Sequence, residues 1–469
     1  MSLETMVLLR NARCLYVVFK FPMDEVIQRR GAGIRSLLTL TVFGLLFLFF
    51  SPIYIKAEEP SIQQQIDAAK PGETIELKEG EYEESMIINK PIHLVGTGDV
   101  TLIQKDSNPA VTIKSDHVFI ENLNIRDTNE TSEASTILMN GDNNTLHQIR
   151  IHTSSVGIQL DEANDNTLSN IYITGNKNEE IKSRNHGIDL WKSHQNEIVD
   201  TRIKHVKDGI YLEKSNTNKI NRTIASHSRY GYHLMFTKKT ELKENESFEN
   251  ISGLMVMGAD GTVVKKNTLK DNQTNIQSLG LLLFDTVHAN IEENDIVNNR
   301  VGVFVESAID NTLVFNNVRE NYIGIEFKGA ERNHIVNNSF TANVVQGQAT
   351  ESSNNNTNKN YWGDHLGLNL TGDETSDITY KVDPFFLNIT SEYPPFQLLF
   401  QSPGMVFLEQ LIHTPVDQQL IDESPLMENP LVSLNDSSIH PLTMILFCTF
   451  LLMISIFIIY LGVRKNEKI

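Results

Sequence analysis

The sequence predicts an all-β protein, a right-handed parallel β-helix of about 22 residues per coil, with a short N-terminal helical cap and a C-terminal transmembrane helix. Three observations predict it. Glycines followed by an apolar–x–apolar triplet recur at Gly157, Gly187, Gly209, Gly231, Gly253, Gly280, Gly302 and Gly324, and the glycine series runs on to Gly347. Their intervals are 30, 22, 22, 22, 27, 22, 22 and 23 residues, the signature of a solenoid with insertions. Asparagines keep a register of their own, nine residues after the glycine at Asn166, Asn196, Asn218, Asn311 and Asn333, and in a second set at Asn245, Asn267, Asn294, Asn316 and Asn338.

At the N-terminus, Arg29, Arg30 and Arg35 precede an apolar run from Leu37 to Phe50, and Ile55-Lys56-Ala57 follows. Basic, apolar and small-residue segments in that order predict a signal peptide over residues 1–57, cleaved after Ala57. The stretch ahead of Met23 is long for such a leader, so Met23 is an alternative start; an uncleaved N-terminal anchor is the other reading. Ser61-Ile62-Gln63-Gln64 has the pattern of a capping box opening a helix to Lys70, with Ile62, Ile66 and Ala69 on one face and Pro71-Gly72 stopping it. Short strands then follow around Thr74–Leu77, Ile87-Ile88 and His93–Val95, with a turn at Glu79-Gly80.

The cap and the β-helix together span residues 58–390. After each glycine comes a short strand, such as Ile188-Asp189-Leu190, Tyr232-His233-Leu234 or Leu254-Met255-Val256. Strand side chains alternate faces, so offsets one and three from the glycine point inward and offsets two and four outward. The two long intervals put loops near Thr174–Asn185 and Asn272–Leu279. The asparagines are expected at tight corners, taking left-handed backbone and bonding the next coil as a ladder.

Residues 391–440 read as an extension and linker, and Pro441–Val463 as an apolar run long enough to cross a bilayer. Arg464, Lys465 and Lys468 follow in a cytoplasmic tail, 464–469, which places everything before Pro441 outside the cell membrane. A buried core helix is the alternative, but no charge interrupts the run. Both cysteines, Cys14 and Cys448, fall in these terminal segments. A metal carried by the exported domain must therefore use His, Met, carboxylate or backbone ligands. The formal net charge is −19; residues 1–57 contribute +4 and the tail after Val463 +2, which leaves −25 between them. So acidic a domain argues against nucleic acid and suits a cationic cargo or solubility.

Asn360-Tyr361-Trp362-Gly363-Asp364-His365, then Gly367 to Asp377, Tyr380 and Asp383-Pro384-Phe385-Phe386 resemble the segment that closes the β-helix of the NosD family. Pro395–Pro403, an apolar stretch to Ile412 and Asp422–Met427 resemble that family's C-terminal extension, and the opening cap resembles pectin-lyase-like β-helices. The resemblance covers roughly residues 58–430. It implies a non-enzymatic accessory protein that works with an ABC-type permease and ATPase and handles copper, accepted from a lipoprotein chaperone, or a sulfur species. Its end point is maturation of the copper–sulfide centre of nitrous oxide reductase. The family's acidic loop suits calcium, but Gly367–Glu374 has fewer carboxylates at alternate positions, which speaks against calcium here. The predicted anchor also departs from family members that are free in the periplasm.

The register independently predicts an outward strip: His233, Met235, Met255, Met257, Leu282, Phe284 and Phe304, with Tyr211 above it. His233 falls over Met255 and Met235 over Met257, one coil apart. Thioether and imidazole suit Cu(I), so His233, Met235, Met255 and Met257 are candidate ligands for a transient site. Tyr211, Leu282, Phe284 and Phe304 are candidates for docking a partner, and cover by the inserted loops is a third use of the strip. Most of His147, His152, His186, His194, His205 and His227 are expected to be solvated, and His365, which follows the Trp362-Gly363-Asp364 turn, reads as a turn residue in preference to a ligand. The rival reading is a secreted carbohydrate lyase or hydrolase using Asp161, Asp189 and Glu213, with Trp191 and Tyr211 between them. A non-catalytic surface scaffold is the third.

Overall fold

The computed structural model describes residues 60–105, 107–128, 134–382, 385–399, 402–411, 420–431 and 449–455. All of them fall in one compact unit, Pro60–Ile469. The predicted signal peptide, 1–57, and the tail, 464–469, lie outside the described residues. Of the predicted membrane span only 449–455 are described, as helix; among the described residues no helix is long and apolar enough to cross a membrane.

The first element is the cap. Helix α1, Ile62–Ala68, starts at a capping box in which the Ser61 hydroxyl accepts from Gln64 N and the Gln64 side chain accepts from Ser61 N. Ile62 and Ile66 are fully buried. The Gln63 side chain does a second job: its carbonyl accepts from Ile87 N (2.8 Å) and its amide donates to Ile87 O (3.2 Å). One side-chain amide thus takes the place of a neighbouring strand at the open edge. The expected turn at Glu79-Gly80 is instead a bulge inside a continuous strand, Thr74–Tyr82, whose pairing with His93–Gln104 shifts register between Lys78 and Gly80.

Behind the cap the chain winds as a parallel β-helix. Twelve strands, from Met86–Ile88 to Val345–Thr350, form one parallel sheet, and the remaining strands of the coils form the other faces. The glycine-based register holds from Gly187 to Gly324: Asp189, Tyr211, His233, Met255, Leu282, Phe304 and Glu326 are successive partners in the first outward column. It slips by one residue at the last coil, where the 23-residue interval brings Gly347 against Ile325 and leaves Gln346 over Gly324. The inward residues, such as Ile210, Leu212, Tyr232, Leu234 and Val256, are fully buried in one continuous core. Glycine is required where the coils touch most closely. A Cβ on Gly302 would stand 2.6 Å from Gly324 O, 2.9 Å from Asn321 Nδ2 and 2.9 Å from Val318 Cγ1. The long intervals emerge as loops; a 3-10 turn, Ile181–Ser183, lies in the first.

The asparagines form buried ladders. Each side-chain oxygen accepts from the asparagine one coil earlier, and each side-chain amide donates onward or to a strand carbonyl, as along Asn245, Asn267, Asn294, Asn316, Asn338 and Asn360. The left-handed residue is not the ladder asparagine but the one before it, for example Glu244, Lys266, Glu293, Phe315 and Asn337. That residue turns the corner, and the turn aims the next side chain into the coil, where the backbone groups freed at the corner need partners. A third ladder, Asn250, Asn272, Asn299, Asn321 and Asn343, holds another corner.

The far end closes on Trp362, which stacks on Phe340 (4.6 Å between ring centres) and donates from Nε1 to Asp422 (2.9 Å). Asp422 belongs to the strand Leu420–Asp422, paired antiparallel with Tyr380–Val382. The segment after the predicted closing motif thus folds back over the last coil, and helices α2 (Phe385–Glu392) and α3 (Pro403–Leu411) lie between the two strands in sequence.

Candidate functional site

The outward strip exists as a column of adjacent side chains, but its centre is covered. His233 and Met255 are 7% exposed and Leu282 5%, while Tyr211, Met235, Met257, Phe284 and Phe304 are half-buried. The expected display of the whole strip is corrected to this extent. One physical reason is the close stacking of rungs, about 4.8 Å apart, which lets bulky side chains cover one another. The rings of Tyr211 and Tyr230 lie 4.9 and 5.1 Å from that of His233. His233 and Met255 nevertheless stand outside the inward core, which passes through Tyr232, Leu234, Leu254 and Val256.

A buried carboxylate organises the column. Asp208 is fully buried and accepts two hydrogen bonds from Arg229, Nε at 2.8 Å and Nη2 at 2.7 Å. His233 Nδ1 lies 3.0 Å from the same carboxylate, and His186 Nδ1 lies 3.5 Å away, in ion contact without a hydrogen bond. His186 stacks on Tyr211 with rings 4.7 Å apart and 14° from parallel, and Arg229 lies over Tyr230. Tyr211 donates to Glu213 (2.8 Å) and its hydroxyl is 3.4 Å from Met235 Sδ. His186, expected to be solvated, is corrected: it comes off the first inserted loop and is walled in by this cluster.

The electrostatics follow from burial and pairing. Burial pushes the Asp208 carboxyl up, but the His233 and Arg229 hydrogen bonds and the nearby His186 outweigh it and hold Asp208 at about 2. Burial pulls His186 down to about 4, against the attraction of Asp208. Burial, reinforced by Glu213, Asp208 and Asp161, raises Asp189 to about 7. Burial and the Glu213 hydrogen bond push the Tyr211 hydroxyl up.

With an ionised Asp208 beside Nδ1, a neutral His233 carries its proton on Nδ1 and leaves a lone pair on Nε2. That Nε2 is buried and meets no hydrogen-bond partner. A carboxylate that fixes the far nitrogen of a histidine is the usual support of an imidazole ligand. Met255 occupies the next rung in register with His233, and Met257 is in register with Met235. Among the described residues no group of three His, Cys, Asp or Glu is arranged to hold a metal ion, so a metal here would depend on the thioethers.

The carboxylates of the rival reading are split between two columns. Asp161, Trp191 and Glu213 are successive partners in one, and Gln159, Asp189 and Tyr211 in the other. Lys214 and Lys192 lie over the Trp191 ring, at 4.8 and 5.5 Å. His365 behaves as a turn residue, with Nε2 3.2 Å from Ser376 Oγ and its ring edge-on to Tyr380. Asp208 and Arg229 escaped the sequence reading because they precede the glycine, where the alternation of faces was not extended.

Fold and column together define an elongated parallel β-helix protein with an ordered polar and thioether face. Residues 169–375 match the family model described as "Periplasmic copper-binding protein (NosD)", so the resemblance seen in the closing motif extends over the coils that carry the column. No curated protein matches the chain. Among solved structures, alginate lyase AlyF-OU02 in complex with G6 is similar at 11% identity, covering 64% of this chain and 82% of that one, with a TM-score of 0.50. The A-module of the Azotobacter vinelandii mannuronan C-5 epimerase AlgE6 is similar at 15% identity, 63% and 92% coverage and a TM-score of 0.42. The Dettilon tailspike protein gp208 follows at 12%, 57% and 60%, and 0.42. The first of these likenesses is one of fold alone.

Proposed function

We propose that the chain is an exported copper-handling accessory protein of the NosD type, in which His233, Met255 and either Met235 or Met257 hold Cu(I) in transit. The observation that carries this reading is the unpartnered, buried His233 Nε2, oriented by Asp208 and set one rung from Met255. Imidazole and thioether are the soft, neutral donors that Cu(I) favours, and a site of two or three such ligands releases its ion readily. Partners of the NosD type would be a copper chaperone lipoprotein as donor, an ABC permease and ATPase, and nitrous oxide reductase as the protein matured. The half-buried Tyr211, Phe284 and Phe304, with Leu282 beneath, are the surface on which a partner would dock. The predicted C-terminal anchor would keep the β-helix outside the membrane. A competition titration of the full-length chain with a Cu(I) chelator tests the reading. Loss of binding in His233→Ala and Met255→Ala supports it; unchanged affinity in both rejects the ligand assignment.

A second reading has one observation in its favour. Asp189, raised to about 7, holds a proton near neutral pH beside Tyr211 and close to Glu213 and Asp161. A carboxylic acid of that kind serves acid–base chemistry on a glycan. Turnover of an acidic or neutral polysaccharide by the chain, abolished in Asp189→Asn, would favour it over copper handling; its absence across such a panel removes it.

A further inference from the structure

A different face of the coil, on the other sheet, carries a second built feature. Asn124, Arg150, Tyr172, Arg202 and Ile224 are successive partners in one outward column. Beside it runs Arg126, His152, Thr174, Lys204 and Ser226. Over the first column lies a groove of about 920 Å³, walled by Asn122, Gln148 and Asn170 and floored by Arg150, Tyr172 and Arg202. A smaller hollow of about 370 Å³ continues it past Lys204 to Phe248.

The charges in this groove are out of keeping with the chain. Acidic residues outnumber Lys and Arg by 59 to 40, yet the side chains of Arg150 and Arg202 make no ion pair or hydrogen bond among the described residues. The carboxylates that line the two hollows already have partners. Asp200 is held by Arg222 (2.8 and 2.9 Å), Asp99 accepts from Asn124 (2.7 Å), and Glu246 pairs with Lys270 (2.6 Å). Lys204 adds a third positive charge 5.5 Å from the centre of the Tyr172 ring.

We propose that this groove binds an acidic oligosaccharide, with a sugar ring on Tyr172 and acid groups on Arg150 and Arg202. The two guanidinium groups spring from rungs on either side of the Tyr172 rung, about 10 Å apart at the backbone. Guanidinium forks take carboxylate or sulfate by paired hydrogen bonds, an aromatic ring takes the apolar face of a sugar, and the side-chain amides of Gln148 and Asn170 suit hydroxyls. The groove runs along the stack, so it accommodates a linear chain; its concavity does not fit the flat surface of a bilayer. The occupant differs from the copper cargo, and the groove shares no residue with the His233 column.

The test is calorimetry on the detergent-solubilised full-length chain at low salt, with hexagalacturonate and a heparin-derived hexasaccharide as probes. Maltohexaose is the neutral control and phosphatidylglycerol vesicles the lipid control. At least one acidic probe is expected to bind, and Arg150→Gln, Arg202→Gln and Tyr172→Ala should each weaken it about ten-fold or more. Arg332→Gln, whose residue pairs with Asp310 away from the groove, should leave binding unchanged, and circular dichroism checks that every variant is folded. Failure of both acidic probes to bind below about 1 mM overturns the proposal. So does equal binding of maltohexaose, full affinity in the folded double variant Arg150→Gln/Arg202→Gln, or binding to the vesicles in place of the sugars.

Discussion

His233 presents Nδ1 to the Asp208 carboxylate at 3.0 Å and leaves Nε2 without a partner. The pairing crosses from the residue before Gly209 on one coil to the residue two after Gly231 on the next. It ties the orientation of a candidate ligand to a buried charge that also holds Arg229.

Asp208→Asn is therefore expected to act twice. Arg229 loses its carboxylate, which costs about 2–3 kcal/mol of folding stability, toward the low end of broken buried pairs because Arg229 reaches solvent. His233 loses its orienting charge, and Cu(I) affinity should fall about 10–100-fold. Urea denaturation measures the first effect and chelator competition the second.

Asp189 gives a pH signature. Its carboxyl keeps a proton up to about 7 in the folded chain, against 3.8 for an ordinary aspartate. Between those values the folded state binds more protons than the unfolded one, so stability falls as pH rises from about 4 to 7. Asp189→Asn removes that loss. Relative to the parent it should gain about 2–4 kcal/mol at pH 8 and little at pH 4. His186 works in the opposite direction: held at about 4 rather than 6.5, it withdraws stability as pH falls through that interval. Thermal melts of Asp189→Asn and His186→Gln across pH separate the contributions.

Asn316 lies in the middle of a ladder. Its oxygen accepts from the backbone and side chain of Asn294, and its amide donates to Ile291 O and to Asn338. Asn316→Ala leaves several of those buried groups unpaired at once, and a loss of about 2–4 kcal/mol is expected in urea denaturation. A loss within 0.5 kcal/mol, roughly the size of an ordinary surface change, would mean that the ladder contributes little.

Gly302→Ala puts a methyl group 2.6 Å from Gly324 O, a backbone atom of the next coil that moves only if the stack moves. About 1–3 kcal/mol of destabilisation is expected, read as a lowered melting temperature.

Much of this was legible in the residues. The spacing of Gly209, Gly231 and Gly253 gave the coil length, and the alternation after each gave the inward and outward columns that the register shows. The capping box at Ser61 and the ladder asparagines could be read because one residue type at one place does one job. The cluster around Asp208 could not. The columns were counted forward from each glycine, so Asp208, which opens the strand one residue before Gly209, and Arg229, which precedes the strand Tyr230–Met235, were in no column. The covering of His233 was also out of reach, because it depends on Tyr211 and Tyr230 from neighbouring rungs and strand ends, with His186 from the inserted loop stacked on Tyr211. At Glu79-Gly80 the residues signal a turn, but pairing on both sides keeps the strand continuous and makes the irregularity a bulge.

The most direct test of the central claim is X-ray absorption at the copper edge of the Cu(I)-loaded full-length chain. The account predicts one imidazole nitrogen and at least one thioether sulfur around the ion, with the sulfur signal reduced in Met255→Ala and the nitrogen signal lost in His233→Ala. Scattering from nitrogen and oxygen alone, or a spectrum that neither substitution alters, would contradict it.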